Sequence, residues 1–215
     1  TMNEDIEVIN QSTRIEKIKN FFNQNLKKIL VFLSIILIFI ISYFVLLEFK
    51  KNKKIKIAEK YNELVSQYQN NEENNLKDNF IQIILENDTT YSPLALYFLI
   101  DNQLVQNKDE LNSLFDQVIN KSKLDYEIKN LIIYKKALIN SDTASESDLI
   151  NILKPVINSD SIWKSHSLYL LAEYFYSKNQ KEKSKEFFSE IVVLDNANPD
   201  IKLEAQRKLN RDFSE

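Results

Sequence analysis

Hydrophobic positions follow two regimes along the chain. From Ile29 to Leu47 they are almost continuous: "ILVFLSIILIFIISYFVLL" carries no charge, and Ser34, Ser42 and Tyr43 are its polar members. As a helix these residues span about 28 Å, close to the hydrocarbon thickness of a bilayer. From Ile57 onward the apolar residues instead recur at three- and four-residue steps, the spacing of one helix face. Ile57, Tyr61, Leu64, Val65 and Tyr68 form the first stripe, broken by "NNEENN". Leu76, Phe80, Ile83 and Ile84 form the second, ended by "ENDTT". Ser92 is read as the N-cap of a third helix with Pro93 at its first position, followed by Leu96, Leu99 and Ile100. Leu111, Leu114, Phe115 and Val118 make a fourth, and Asp125 opens a fifth carrying Ile128, Leu131, Ile132 and Ala137. A short helix at Leu149, Ile152 and Leu153 is expected to stop before Pro155. A pair follows, from about Ser161 to Lys178 and from Lys181 to Leu194, and "NANPD" starts a last helix ending near Asp212. No stretch alternates with period two, so no strand is predicted.

Composition narrows what this helical chain can do. Among 215 residues there is no Gly, no Cys, three Pro and one His. Without Gly, phosphate-cradling loops cannot form and Gly-dependent hairpins are disfavoured. Without Cys, disulfides, thiolate metal sites and Cys nucleophiles are ruled out. His166 stands alone, so no His-pair metal site forms, and Glu173, two helical turns away on the same face, gives a structural or exposed pairing rather than a catalytic one. The carboxylates are scattered along polar faces. The chain therefore reads as non-enzymatic, with no cofactor, no metal and no small-molecule substrate.

Charge divides unevenly. Lysines and one arginine flank the apolar segment on both sides: Arg14, Lys17, Lys19, Lys27 and Lys28 before it, and Lys50, Lys51, Lys53, Lys54, Lys56 and Lys60 after it. The two flanks nearly balance, so flanking charge does not choose an orientation. With some 28 residues before it and no small-residue cleavage site after it, the segment reads as an uncleaved signal anchor. The basic cluster after it sits at headgroup level, either against anionic lipid or as a solvated flank. From Tyr61 to the end, 17 Lys/Arg oppose 25 Asp/Glu, a net of −8, which disfavours nucleic acid as a partner.

The helices beyond the anchor fall into pairs of roughly 30 to 40 residues, the period of stacked helical-hairpin units. One pair fits the tetratricopeptide pattern well. Leu168 takes its first large position, Leu171 and Ala172 the Leu–small pair, and Phe175 the aromatic. Asn179 stands at the turn, Ser184 is the small residue between the two helices, and Phe188, Ile191 and Pro199 complete the unit. The stretch "SIWKSHSLYLLAEYFYSKNQKEKSKEFF", behind a single N-terminal anchor, resembles the YfgM-like group of bacterial inner-membrane proteins. The resemblance covers Ile162 to Pro199 by motif and most of the chain by architecture. It departs from the group at Lys164, Asn179 and Ser184, where Arg, Gly and Ala are commoner.

The resulting expectation is an all-α chain: a single N-terminal transmembrane helix followed by a tetratricopeptide-like helical-hairpin solenoid. Its organisation is a short cytoplasmic segment (1–28), a transmembrane signal anchor (29–47), a basic juxtamembrane linker (48–56) and a repeat domain (57–215). The resemblance implies a single-pass protein of the bacterial inner membrane, with its N-terminus cytoplasmic and its C-terminal domain periplasmic. It further implies an interaction adaptor whose partners are Sec translocon subunits, periplasmic chaperones or exported clients. A structural tether of an envelope or cell-division complex is the alternative. By analogy with tetratricopeptide repeats, the groove face of the best-matching unit would carry His166, Tyr169, Glu173, Tyr176 and Ser177, with the helix after Pro199 able to cover it. Trp163 is expected to pack in the core or between units.

Overall fold

The computed structural model describes residues 2–71 and 75–213. All regular structure among them is α-helical. The helices are α1 (Met2–Gln69), α2 (Leu76–Leu85), α3 (Tyr91–Asp101), α4 (Lys108–Lys121), α5 (Tyr126–Asn140), α6 (Glu146–Ile157), α7 (Lys164–Ser177), α8 (Lys181–Val193) and α9 (Pro199–Asp212). The chain divides between Lys56 and Ile57 into two units.

The first unit is the part of α1 up to Lys56. Among the described residues α1 is the one helix long and apolar enough to cross a bilayer, and none of its apolar window is buried. Leu30 to Leu47 are exposed on every side of the helix. That distribution suits lipid, since a water-soluble helix would keep one face for a core. Ser34 donates from Oγ to the Leu30 carbonyl at 2.8 Å, so its hydroxyl is satisfied within the helix. Helical structure continues unbroken through the basic stretch 48–56.

In the second unit each helix from α2 to α9 packs on the next, and α2–α4, α5–α7 and α7–α9 also touch. The core consists of three clusters in chain order. The first joins Ile57 and Leu64 of α1 to Phe80, Leu96, Phe115 and Ile132. The second joins Ala137, Leu149 and Leu153 to Leu171 and Phe175. The third joins Leu168 and Ala172 to Phe188, Ile191 and Ala205. Aromatic rings knit the first cluster: Phe80 stacks on Phe98 with centroids 4.2 Å apart, and Tyr68 meets Phe98 edge-on at 5.2 Å.

Local signals explain several helix ends. Asn107, Asp125, Ser145 and Asn198 each accept a backbone N–H of the following first turn through a side-chain oxygen. With no Gly available, left-handed backbone falls on Asn71, Asn75, Asn87, Gln103 and Asn179, at φ 58°, 57°, 54°, 52° and 58°. After α7, Asn179 N–H donates to the Tyr176 carbonyl at 3.0 Å and Gln180 N–H to the Phe175 carbonyl at 2.9 Å, a Schellman closure. Gln103 and Leu104 close α3 in the same way.

Two boundaries correct the sequence reading. Ser92 is not the cap of α3. Asp88 does that work, its Oδ1 accepting from Thr90 and Tyr91 N–H at 2.8 Å each. Ser92 is wholly buried and donates to the Ile83 carbonyl at 3.0 Å, tying α3 to α2. Pro93 still lies in the first turn, where its missing N–H costs no intrahelical bond. Likewise α6 does not stop before Pro155 but runs on to Ile157. The proline deprives only the Asn151 carbonyl of its i+4 donor, and Asn151 is exposed to water. Continuing the helix buries Val156 completely.

Candidate protein-binding face

The seam of the α7–α8 hairpin is built from residues whose helical spacing places them on one face. Leu168, Leu171, Ala172, Phe175, Phe188 and Ile191 are all buried. Ser184 is small enough to let the helices approach, and its Oγ donates to the Ala172 carbonyl at 2.8 Å. Ser161 starts α7: it receives Trp163 N–H on its Oγ at 3.1 Å and Lys164 N–H on its carbonyl at 3.0 Å. The same hydroxyl donates to Glu127 on α5 at 2.7 Å.

The five face residues of α7 have different surroundings. His166 meets Tyr134 of α5 edge-on at 5.9 Å and lies 5.1 Å from Trp163, while Trp163 itself stacks on Tyr134 at 5.8 Å. Trp163 therefore packs against α5. The His166 Nδ1 is buried. Burial holds its pKa below the ordinary imidazole value, with the Ile162 carbonyl pulling the other way. Tyr169 meets Phe188 edge-on at 5.5 Å, and burial together with the Glu173 and Glu204 carboxylates pushes its phenol up to about 12. Glu173 pairs with Lys208 of α9 at 2.6 Å. Tyr176 meets Phe213 edge-on at 5.9 Å, with the Lys208 ammonium 5.5 Å from its ring centre. Ser177 is exposed and donates to the Tyr174 carbonyl at 2.8 Å.

So α9 and the residue after it lie over the part of the face that carries Glu173 and Tyr176. Tyr169 belongs to the same cluster, with Ile201, Leu209 and Phe213 packed alongside. His166 sits apart, at a cleft of about 380 Å³ lined by Ile162, Trp163, His166 and the α8–α9 connection from Asn196 to Pro199. Ile162, 60% exposed, forms its outer lip. The apolar pair Ile162–Trp163 beside a helix start was visible in the sequence. Its closeness to Asn196–Pro199, more than thirty residues on, was not.

A second concavity lies over α5, between α4 and α6. It comprises two clefts of about 450 and 300 Å³ that share Lys136, Asn151 and Ile152 as lining. One end is polar, where Asn112 and Asn140 exchange amide hydrogen bonds at 2.8 and 3.1 Å. The other end is apolar, with Ile119, Ile133 and Pro155. Lys136 is bonded to Asp116 at 2.7 Å. Among the described residues no group of three or more His, Asp and Glu is placed to hold a metal ion. No family model, no curated protein and no solved structure matches the chain.

Proposed function

We propose that this chain is a membrane-anchored protein-interaction adaptor, held by the helix from Ile29 to Leu47 and presenting a tetratricopeptide-like solenoid of helical hairpins. The observation that carries the reading is the packing order in the second unit. Helices pack in sequence, and among alternate helices α2 touches α4, α5 touches α7 and α7 touches α9. Stacked hairpins produce that order because each pair buries its apolar face only against its neighbours. The core divided into successive clusters follows from the same construction.

The docking surface in this reading is the α7 face, entered at the Trp163–His166 cleft and continued by Ser177 and the open edges of Tyr169 and Tyr176. Glu173 contributes through Lys208, its partner on α9. Trp163 and Ile162 at a cleft lined by no Lys, Arg, Asp or Glu suit an apolar or aromatic anchor from a protein partner. An inner-membrane location with a periplasmic repeat domain, and association with the Sec translocon and its chaperones, rest on the YfgM-like resemblance.

Site-specific photocrosslinking tests the proposal. A crosslinking residue replaces Ile162 in one variant and Ser177 in another, in full-length protein expressed in cells. Translocon subunits, chaperones or secretory clients among the adducts support the adaptor. Division or wall-synthesis proteins point to a tether. Adducts no more frequent than at an exposed α8 position such as Lys185 would sink this face as a docking site.

A further inference from the structure

The lysines that follow the apolar segment belong to the same unbroken helix. Lys50, Lys51, Lys53, Lys54 and Lys56 are all exposed, against a single acid in the stretch 48–56, Glu48, which reaches Lys51 at 4.0 Å. At 100° per residue the five side chains leave one angular gap of about 140°, occupied by Asn52 and Ile55. They therefore ring the helix instead of marking one face, as a surface for a single protein partner would.

Their height above the apolar segment matters as much. With a rise of 1.5 Å per residue, Lys50 and Lys51 lie about 4.5–6 Å beyond Leu47, within the headgroup layer of a bilayer crossed along its normal. Lys53 and Lys54 lie about 9–10 Å beyond it and Lys56 about 13 Å, within a Debye length of the headgroups. The other flank is sparser, with Lys27 and Lys28 as the lysines among its nearest nine residues.

We propose that Lys50 to Lys56 form a cationic collar that gathers anionic phospholipid around the helix as it leaves the bilayer. This deepens the membrane-anchor reading and rests on it. Long lysine stems reach along the helix while their ammonium groups stay in the headgroup layer, where several phosphates can be met at once. Nucleic acid is disfavoured by the net charge of −8 from Tyr61 onward.

The test reconstitutes the full chain in phosphatidylcholine nanodiscs containing a minority of phosphatidylglycerol, then counts the lipids retained on mild detergent exchange by native mass spectrometry. Each lysine is worth about a fivefold preference at most. Wild type should therefore retain several-fold more phosphatidylglycerol than a variant with all five lysines changed to glutamine. Equal retention overturns the collar, as does loss of retention in a K27Q/K28Q variant but not in the five-lysine variant. Alkaline extraction of the same variants from membranes separates the two readings. A chain that stays membrane-bound but loses phosphatidylglycerol supports the collar, whereas a wild-type chain released by alkali refutes the membrane anchor itself.

Discussion

Replacing Tyr169 and Tyr176 together by alanine asks whether the α7 face is surface or core. For a free groove the double change weakens partner capture and leaves stability almost untouched. The geometry gives a different expectation, because Tyr169 lies on Phe188 and Tyr176 on Phe213 beneath the last turn of α9. Removing about half of a tyrosine's area from contact at about 25 cal/mol/Å² costs roughly 2 kcal/mol per ring as an upper figure. Each edge-on aromatic pair adds about 0.5–1.5 kcal/mol. Because α9 relaxes toward the shortened side chains, a total of about 3–5 kcal/mol is expected, a fall in Tm on the order of 10 °C for a chain of this size. The assay is urea and thermal unfolding of the full-length protein in one detergent, followed by circular dichroism. Tyr176→Phe, which keeps the ring, should stay within about 0.5 kcal/mol of wild type. If the double alanine variant also stays within that range, α9 does not cover the face and the packing of α9 on α7 is refuted.

The charged contact on the same face should behave as a coupled pair. Breaking Glu173–Lys208 with Glu173→Gln and Lys208→Met in a double-mutant cycle should give a coupling of about 0.5–1 kcal/mol, because the pair is only partly shielded from water. At the two Schellman turns, Asn179→Ala should destabilise by about 1 kcal/mol, whereas Gln103→Gly should stabilise by a similar amount, both read by urea unfolding. A stabilising Asn179→Ala would contradict the left-handed assignment. Phe188→Ala should cost about 3–5 kcal/mol, since its ring is wholly buried between α7, α8 and α9.

His166 adds a pH dependence whose sign follows from its depressed pKa. The unfolded chain binds the proton more readily than the folded one, so this contribution is complete above the unfolded value near 6.5 and is lost as pH falls through and below it. Stability should decline as pH falls below about 6.5, and His166→Gln should flatten that part of the curve. As the only histidine in the sequence, its imidazole NMR signal titrates without ambiguity. A midpoint above 6.5 would refute the burial argument.

The helices and their caps are legible in the sequence wherever the deciding contacts are local. Asp125, Asn198 and Pro199 mark helix starts because their effect lies within one turn. Asn179 marks a turn because asparagine tolerates left-handed backbone. Leu171, Ala172 and Phe175 read as a buried seam because their spacing places them on one face. Where the deciding contact is remote, the same reasoning goes astray. Ser92 resembles a cap, but its hydroxyl is taken by Ile83 on another helix. Pro155 resembles a stop, but the helix runs past it and Val156 is wholly buried.

The candidate face shows the same division more sharply. The sequence by itself places His166, Tyr169, Glu173, Tyr176 and Ser177 on one side of one helix, because a period of 3.6 residues is a property of the local backbone. It also determines the apolar span, since length and the absence of charge suffice for that. What covers Glu173 and Tyr176, and what flanks His166, depends on parts of the chain thirty or more positions away. Lys208 and Phe213 close over Glu173 and Tyr176, while Asn196–Pro199 leaves a cleft beside His166. Only tertiary packing decides which side chains of an amphipathic face meet a neighbour and which meet water, because that choice is made by helices meeting one another and not by the period along any one of them.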